Sequence, residues 1–521
     1  MPLIGRVGRK RLRSRLAIGV LYGLLSLGAL TTLYPFLLMV SIGLKGPTDQ
    51  NDLTLVPQYL SDQSGKKEDG TALPTSLLGK YLADKYAGNA DEISATRLGV
   101  AAPSDQVERY QKFLLSLPED RWRACFRAAA NQVTSRLNGR YQDWLRARFG
   151  TIERLNTAYT EENTAFETVA PPLEFPERKD WKPTRDRKYL DWLEFKSSLP
   201  AEFREPITTQ RLFQLYLRQK TKNQLAQVPP AVVGVAKTFE QITVPVSGPE
   251  LAEFKSSFLP QAFETSAEDL WHSAGGTGDL PIQPYEEQYL ASHAAEIKQE
   301  FATRNYRYVL SYILLNGRVL WNTLLFGFLA ILAQLTINPI AAYALSRYPI
   351  RASGKILMFL LATMAFPAEV SMIPSFLLLK QLGLLNTFAA LVLPAAASGY
   401  MIFLLKGFFD SLPPELYESG QIDGARELTM FRRIALPLSR PVLGYLSLLA
   451  FMGAYGSFLF AFLIAQDRKI WTLMVWIYQL QGLAPKAVMM AALTLAAAPT
   501  LMVFMLCQRV IMRGIILPGE K

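Results

Sequence analysis

The sequence predicts an all-α integral membrane protein with six transmembrane helices and a mainly helical domain inserted between the first and second of them. Half of the 521 residues are hydrophobic, and many lie in runs of the length that crosses a bilayer, about 20 residues. The stretch from Gly46 to Tyr306 contains no such run. It carries 31 Lys and Arg against 36 Asp and Glu, whereas the rest of the chain carries 24 against 8. The basic excess therefore belongs to the membrane-like parts.

The predicted elements follow one another in a simple order. A basic tail at 1–15 precedes the first span at 16–44, and the inserted domain occupies 45–307. The other five spans lie within 308–521, at about 319–345, 356–379, 386–409, 442–465 and 487–506. Arginine-rich turns stay on the cytoplasmic side of a membrane. We therefore expect both termini and the 412–441 loop in the cytoplasm, and the insert outside it.

The inserted domain shows apolar residues at helical spacing and two short patterns that occur twice. Glu119–Leu137 is one of the segments predicted to be helical. Glu194–Pro200 returns as Glu253–Pro260, and Phe166–Val169 resembles Phe239–Ile242. The pairs suggest duplicated helical units that pack on one another, and chance similarity of short helix ends is the alternative.

The composition predicts no catalytic site, no metal centre and no bound cofactor. Cys125 and Cys507 belong to different predicted environments, and His272 and His293 have no partner at metal-ligand spacing. The chain has no G-x-x-x-x-G-K-[ST] pattern and so cannot hydrolyse ATP through a P-loop. The basic residues lie next to the predicted spans, which is typical of loops that stay in the cytoplasm. Nucleic-acid binding is therefore not indicated.

The 412–441 loop is a polar island between two apolar segments. Glu415–Gln421 suits a short helix, because acidic residues near a helix start complement the helix dipole. Gly424 permits a backbone reversal that other residues resist. A second helix then carries Arg432 and Arg433 away from the membrane. Two short helices at a bend predict a docking surface for a soluble partner, and a plain solvated loop is the alternative.

This loop resembles the cytoplasmic EAA loop of permease subunits in bacterial binding-protein-dependent ABC importers. The family pattern of Glu-Ala-Ala, three residues and Gly stands here as Glu418-Ser419-Gly420, three residues and Gly424, before a run ending in Leu436-Pro437. From Trp321 to Gly514 the order of features is similar to the smaller permease of maltose and multi-sugar importers. The resemblance implies an ATPase-coupling site formed by Glu415, Glu418, Ser419, Gly420, Asp423, Gly424, Ala425, Phe431 and Pro437.

The resemblance also implies partners and a location. They are a second permease subunit, ATP-binding cassette ATPase subunits that bind the ATP, an extracytoplasmic solute-binding protein, and the lipid of the bacterial inner membrane. A sugar or oligosaccharide is the implied solute. The chain departs from the family in the fifth span, where Tyr455-Gly456-Ser457-Phe458 replaces a more polar Trp-Asn-Asp-Phe.

Four residues are candidates for a substrate pathway: Asn322, Glu369, Tyr455 and Ser457. An acidic residue in an apolar run, such as Glu369, usually faces a pathway or a partner. A wet position near the outer interface is the alternative for this residue.

A membrane-anchored carbohydrate-binding or hydrolytic module is the alternative function. Trp144–Asn156 looks like a helical stretch of β-galactosidase-type glycosidases, and four tryptophans in the insert suit sugar contact as well as core packing. They are Trp122, Trp144, Trp181 and Trp192.

Overall fold

Helices form nearly all of the regular structure in the computed structural model. It describes residues 12–62, 65, 73–88, 103–129, 132–316, 318–348, 350–365 and 367–514. Most of the expected basic tail and the last seven residues therefore lie outside the described residues. The chain divides into two units, Met1–Val309 with Leu483–Ala491, and Leu310–Gly482 with Ala492–Lys521.

The first unit contains the first apolar helix and the inserted domain. Its α-helices are α1 (Leu12–Gly43), α2 (Gln58–Ser61), α3 (Leu77–Lys85), α4 (Ser104–Ser116), α5 (Arg136–Phe149), α6 (Ile152–Tyr159), α7 (Arg187–Ser197), α8 (Thr209–Lys220), α9 (Pro230–Val233), α10 (Pro249–Glu253), α11 (Ala267–Ser273) and α12 (Ile282–Leu310). Short 3-10 helices lie at Glu119–Arg121, Phe166–Thr168, Ala201–Phe203, Leu225–Gln227, Phe239–Gln241 and Gln261–Phe263, and a π-helix at Phe254–Phe258.

The helix predicted at Glu119–Leu137 is wrong. Strand β1 (Trp122–Ala124) occupies part of it and pairs antiparallel with β2 (Arg204–Pro206). Helix α5 begins only after Ser135, whose side chain accepts a hydrogen bond from the backbone of Asn138. The local periodicity was overridden by pairing with residues about 80 positions away, which no window of the sequence contains.

In the first copy of the Phe166–Val169 pattern, the short turn is bonded to helix α5. Gln142 on α5 is buried, and its Nε2 donates to the carbonyl oxygens of Glu167 (3.2 Å) and Val169 (3.3 Å). Arg146, one helical turn later, pairs with the Glu167 carboxylate. The turn is thus fixed through both its backbone and its side chain.

The second repeat makes the same contacts. Gln214 on α8 donates from Nε2 to the carbonyl oxygens of Glu240 (3.1 Å) and Ile242 (3.1 Å), and Arg218 pairs with the Glu240 carboxylate. A cation–π contact also recurs. The Arg218 guanidinium lies 4.7 Å from the Phe239 ring centroid, and in the first copy the Arg146 guanidinium lies 5.6 Å from the Phe166 ring centroid. Recurrence of hydrogen bonds at matching positions supports the predicted duplication.

The two ends of the insert meet at the last turn of α1. A helix leaves its last four carbonyl groups without partners inside the helix. In α1 the carbonyl groups of Ser41 and Ile42 accept from the backbone amides of Leu44 and Lys45. The outer two accept from α12: the Tyr306 hydroxyl donates to Val40 (3.0 Å), and Asn305 Nδ2 donates to Gly43 (3.0 Å). The insert therefore caps the helix from which it emerges.

Buried ion pairs surround this junction. Lys80 bonds Asp49 at 2.8 Å, and the Arg304 guanidinium binds both carboxylate oxygens of Asp84 at 2.7 and 2.9 Å. Burial lowers the pKa of Lys80, and the neighbouring Asp49 carboxylate opposes that change. Each buried charge has an opposite partner, as the cost of removing charges from water requires.

The second unit contains the remaining apolar helices. They are α13 (Val319–Arg347), α14 (Ser353–Thr363), α15 (Ala368–Gln381), α16 (Phe388–Val392), α17 (Gly399–Asp410), α18 (Glu415–Ile422), α19 (Glu427–Met430), α20 (Leu436–Leu438), α21 (Arg440–Gly456), α22 (Leu459–Ile464), α23 (Leu473–Gln481) and most of α24 (Lys486–Gly514). Further 3-10 helices lie at Leu393–Ala395 and Arg468–Ile470, and π-helices at Ser311–Asn316 and Phe431–Ala435.

Several predicted spans are interrupted. In the described residues, three helices are long and apolar enough to cross a membrane, or up to five if each bent pair is one span. The span predicted at 356–379 is divided between α14, which ends at Thr363, and α15, which begins after Pro367. The span at 386–409 is bent by 53° between α16 and α17. The span at 442–465 breaks at Ser457.

The break before α17 is satisfied by a buried asparagine. Asn338, on α13, is fully buried, and its Oδ1 accepts from the backbone amide of Ser398 at 2.8 Å. Its Nδ2 donates to Gln334 (2.8 Å) and more weakly to Ala396 (3.3 Å). Irregular backbone inside a membrane protein needs such internal partners, because lipid offers none.

Candidate functional site

The 412–441 loop forms two short helices joined by a tight reversal. Helix α18 ends at Ile422, and Gly424 follows in the left-handed conformation with φ of 71°. The amide of Ala425 donates to the carbonyl of Gly420 (2.9 Å), and that of Gly424 donates to Gln421 (3.0 Å). This pair of bonds defines a Schellman motif, which favours glycine at the left-handed position. The predicted reversal at Gly424 is confirmed.

The exposed face of this pair carries most of the predicted coupling residues. Glu415, Glu418, Ser419 and Asp423 are exposed, as is Gly424. Acidic residues in the first turn of α18 lie where the helix dipole favours them. Their side chains are available to an external partner.

The two most exposed apolar side chains of the loop interrupt its polar face, and the sequence reasoning did not single them out. Ile422 is 87% exposed at the end of α18, and Leu428 is 66% exposed on α19. They flank the reversal at Gly424. Aliphatic side chains next to carboxylates give the mixed polarity of a protein-docking surface.

The opposite face of the loop packs on an aromatic cluster. Tyr417 is buried beneath the Arg347 guanidinium, which lies 3.4 Å from the ring centroid. Burial raises the pKa of the Tyr417 hydroxyl, and Arg347 opposes that rise. Phe431 packs at 5.1 Å from the Tyr343 ring, which in turn lies 6.0 Å from Phe409. Of the predicted coupling residues, Phe431 therefore anchors the loop instead of facing a partner.

One hydrogen bond joins this face to α13, and two others join α13 to α17. The Tyr343 hydroxyl lies 3.0 Å from the Glu427 carboxylate, and Arg347 Nη2 donates to the carbonyl of Phe409 at 2.9 Å. Ser346 donates to the Asp410 carboxylate at 2.6 Å. Displacing the loop would therefore act directly on the end of α13, which is itself hydrogen-bonded to the end of α17.

Gly420, Ala425 and Pro437 occupy the half-buried seam between the two faces. A Cβ atom at Gly420 would lie 3.4 Å from the side chains of both Met430 and Ile434. These are ordinary van der Waals distances, so packing does not require glycine here, and its cost in helix propensity is about 1 kcal/mol relative to alanine.

The pathway candidates have different surroundings. No hydrogen bond or ring contact links Asn322, Glu369, Tyr455 and Ser457 to one another among the described residues. Asn322 is buried, and its Nδ2 donates to the carbonyls of Lys469 (2.9 Å) and Trp471 (3.0 Å). This geometry gives the residue a structural use at the start of α13.

The other three candidates differ in exposure. Tyr455 is buried, and its hydroxyl donates to the carbonyl of Ala496 at 2.5 Å. Ser457 is half-buried at the break after α21, and Glu369 is exposed in the first turn of α15. Their role in solute contact stays a prediction.

Of the four tryptophans singled out in the insert, two are fully buried and two are half-buried. Trp122 and Trp192 are completely buried, and Trp144 stacks on Tyr141 at 6.3 Å within the same aromatic core. Trp181 packs edge-on against Tyr189 at 6.3 Å. Core packing accounts for these side chains, as the alternative in the sequence reasoning held. No cluster of metal-ligating side chains occurs in the described residues either.

Comparison with known proteins identifies relatives of this chain. A family model described as "Binding-protein-dependent transport system inner membrane component" matches residues 313–517. Protein LplC of Bacillus subtilis is 29% identical over 278 residues, covering 47% of this chain and 92% of LplC. The sn-glycerol-3-phosphate transport system permease protein UgpE of Yersinia enterocolitica is 32% identical over 206 residues, covering 38% of this chain and 73% of UgpE.

Two further similarities concern carbohydrate transport. The polygalacturonan/rhamnogalacturonan transport system permease protein YtcP of Bacillus subtilis is 29% identical over 246 residues, covering 43% of this chain and 84% of YtcP. A chain in the crystal structure of a bacterial ABC transporter involved in alginate import is 23% identical, with a TM-score of 0.35. That match covers 39% of this chain and 78% of the other.

Proposed function

The chain belongs to the family of binding-protein-dependent transport system inner membrane components, and we therefore propose that it is the permease subunit through which an ATP-driven importer moves a sugar or oligosaccharide. Relatives in this family are transport components and not enzymes. ATP is bound by partner subunits, since the chain has no P-loop pattern. The proposed complex further contains a second permease and an extracytoplasmic solute-binding protein.

The 412–441 loop is the proposed contact with an ATPase subunit. The observation that carries this proposal is the loop's division into an exposed acidic-apolar face and a buried aromatic face. Glu418 and Ile422 on the exposed face would seat in a cleft of the ATPase. Tyr417 and Phe431 on the buried face both contact Tyr343 of α13, in the same buried cluster as Phe409 of α17. Closure of the ATPase pair would then move the loop as a lever and rock the spans.

The proposed topology has six spans with both termini in the cytoplasm and the 45–307 insert outside. The interrupted pairs α14 with α15, and α21 with α22, would each complete one crossing. Broken helices are tolerated at membrane depth where they are buried in protein or line a cavity. The break at Ser457 is therefore a suitable place for solute contact, together with Glu369.

A sugar is the proposed solute because the names of relatives refer to carbohydrate transport. The solute would be delivered by the binding protein and would pass between the two permeases. No sugar-specific residue is assigned within the spans.

Substitution at the reversal tests the coupling role. Gly424→Val places a β-branched residue at φ of 71°, a conformation that such residues strongly resist. We expect normal membrane insertion with loss of both solute uptake and solute-stimulated ATP hydrolysis in the complete transporter. Gly407→Val is the matched control, because no atom lies within 4 Å of its added Cβ and the backbone there is helical. Coupled uptake at the wild-type level in Gly424→Val would contradict the proposal.

A further inference from the structure

In the segment 52–56, which follows α1, apolar side chains face outward and polar side chains face the protein. Leu53, Leu55 and Val56 are 59%, 44% and 64% exposed, whereas Asp52 and Thr54 turn toward Lys45. Leu53 and Leu55 alternate in sequence with Asp52 and Thr54, and Val56 follows in a bend. A water-facing segment would place its polar side outward. The outward side of this segment therefore suits an apolar environment.

The exposure of these side chains is built into the fold. Lys45 is buried, and its Nζ donates to the carbonyl oxygens of Asp52 (2.6 Å) and Thr54 (2.9 Å). Ser41, in the last turn of α1, donates from Oγ to the same Thr54 oxygen at 2.8 Å. The Thr54 hydroxyl also donates to the Asp52 carboxylate at 2.6 Å. The polar side is thus pinned to the helix, and the three apolar side chains cannot turn inward.

The hydrogen bond from Ser41 to Thr54 relates the depth of this segment in a membrane to that of the last turn of α1. The apolar part of α1, Ile18–Gly43, has 26 residues, which at 1.5 Å per residue span about 39 Å. The hydrocarbon core of a bilayer is about 30 Å thick. Centred on the hydrocarbon core, a run of this length would extend about 4–5 Å past it at each end, which would place the last turn of α1, with Thr54 beside it, at the headgroup layer. Leu53, Leu55 and Val56 come to the boundary between headgroups and acyl chains.

We propose that Leu53, Leu55 and Val56 form an interfacial anchor that inserts into the lipid leaflet around the insert-proximal end of α1. Three aliphatic side chains cover far less than the roughly 800 Å² that each partner contributes to a stable protein interface. Entry into lipid needs no complementary surface, only apolar area at the correct depth. The three anchoring side chains carry no charge, so the anchor does not depend on anionic lipid.

This anchor gives the inserted domain a second attachment to the membrane. The first is the capping of α1 by Asn305 and Tyr306. Two attachments would limit tilting of the insert about the end of α1.

Lipid quenching in the full chain tests the anchor. The chain is prepared with Cys507→Ser, which leaves only the buried Cys125, and is reconstituted in phosphatidylcholine nanodiscs. Leu55→Cys then carries an environment-sensitive fluorophore. Val235→Cys is the matched control, because Val235 is 99% exposed in the same inserted domain but far from α1 in sequence. Leu53→Cys and Val56→Cys repeat the measurement if the first variant folds poorly.

We expect the fluorophore at Leu55→Cys to emit at shorter wavelength and to be quenched by nitroxide lipids labelled near the headgroup. Its quenching by aqueous iodide is expected to fall several-fold below that at Val235→Cys. Iodide access equal to the control would overturn the proposal. Protection from iodide without nitroxide quenching would also overturn it, since protein and not lipid would then cover the site. Quenching that required anionic lipid would contradict its apolar basis.

Discussion

Asn305 offers the most direct test of how the insert is attached to α1. Its side chain is 5% exposed, and Nδ2 donates to the carbonyls of Gly43 (3.0 Å) and Lys45 (2.7 Å). Asn305→Leu keeps a similar volume but removes the donor. Both carbonyl groups would then face an aliphatic side chain.

The expected loss follows from these two acceptors. Leaving one buried polar group without its partner costs about 1–3 kcal/mol. Two such carbonyls at the end of a helix give a loss of about 2–4 kcal/mol in the unfolding free energy, near the lower end because water reaches some helix termini. Tyr306→Phe is the control: it removes one hydroxyl bond to Val40 and keeps the ring, so it should cost about 1 kcal/mol.

Two measurements on the reconstituted full chain separate a local from a global effect. Denaturant unfolding, followed by fluorescence of the buried insert tryptophans, reports the free-energy loss. Amide hydrogen exchange reports opening around residues 40–46, where Asn305→Leu should exchange faster than wild type. An Asn305→Leu protein within about 0.5 kcal/mol of wild type, the usual range of inert surface changes, and with unchanged exchange would refute the capping argument.

Three further outcomes are expected. Gly399→Ala would place Cβ 2.4 Å from the Leu360 carbonyl oxygen, so α17 must shift and stability should fall by about 1–3 kcal/mol in thermal unfolding; an unchanged melting temperature would contradict this close approach. Gly420→Ala meets only ordinary contacts at 3.4 Å and should retain uptake while gaining up to about 1 kcal/mol from helix propensity; loss of uptake with normal folding would contradict the packing argument. Burial raises the pKa of Glu268, so its ionisation opposes folding at neutral pH and this opposition is relieved as pH falls through the folded-state pKa. Glu268→Gln should therefore be more stable than wild type at pH 7, by a margin that shrinks on acidification; a margin independent of pH would argue against this assignment.

The candidate site was partly readable in the sequence. A short helix over Glu415–Gln421 and a reversal at Gly424 follow from local rules, and the structure has α18 ending one residue later. Positive φ is nearly confined to glycine, so one residue type sufficed to locate the bend. The anchoring stack of Tyr417 on Arg347 was not readable, because 70 residues separate the two side chains. Nothing local to either residue indicates the other.

The same division holds for the fold. The sequence alone determined the apolar helices, the polar insert and its duplicated turns, since periodicity, run length and repeated letters are properties of short windows. It did not reveal strand β1 or the breaks at Pro367 and Ser457, and Asn338 did not stand out among the polar residues of the apolar helices. Those features depend on what a segment meets in space: a paired strand, or a side chain that satisfies an open backbone group. Tertiary structure decided them, because hydrogen-bond partners distant in sequence outweigh the preferences of any local stretch.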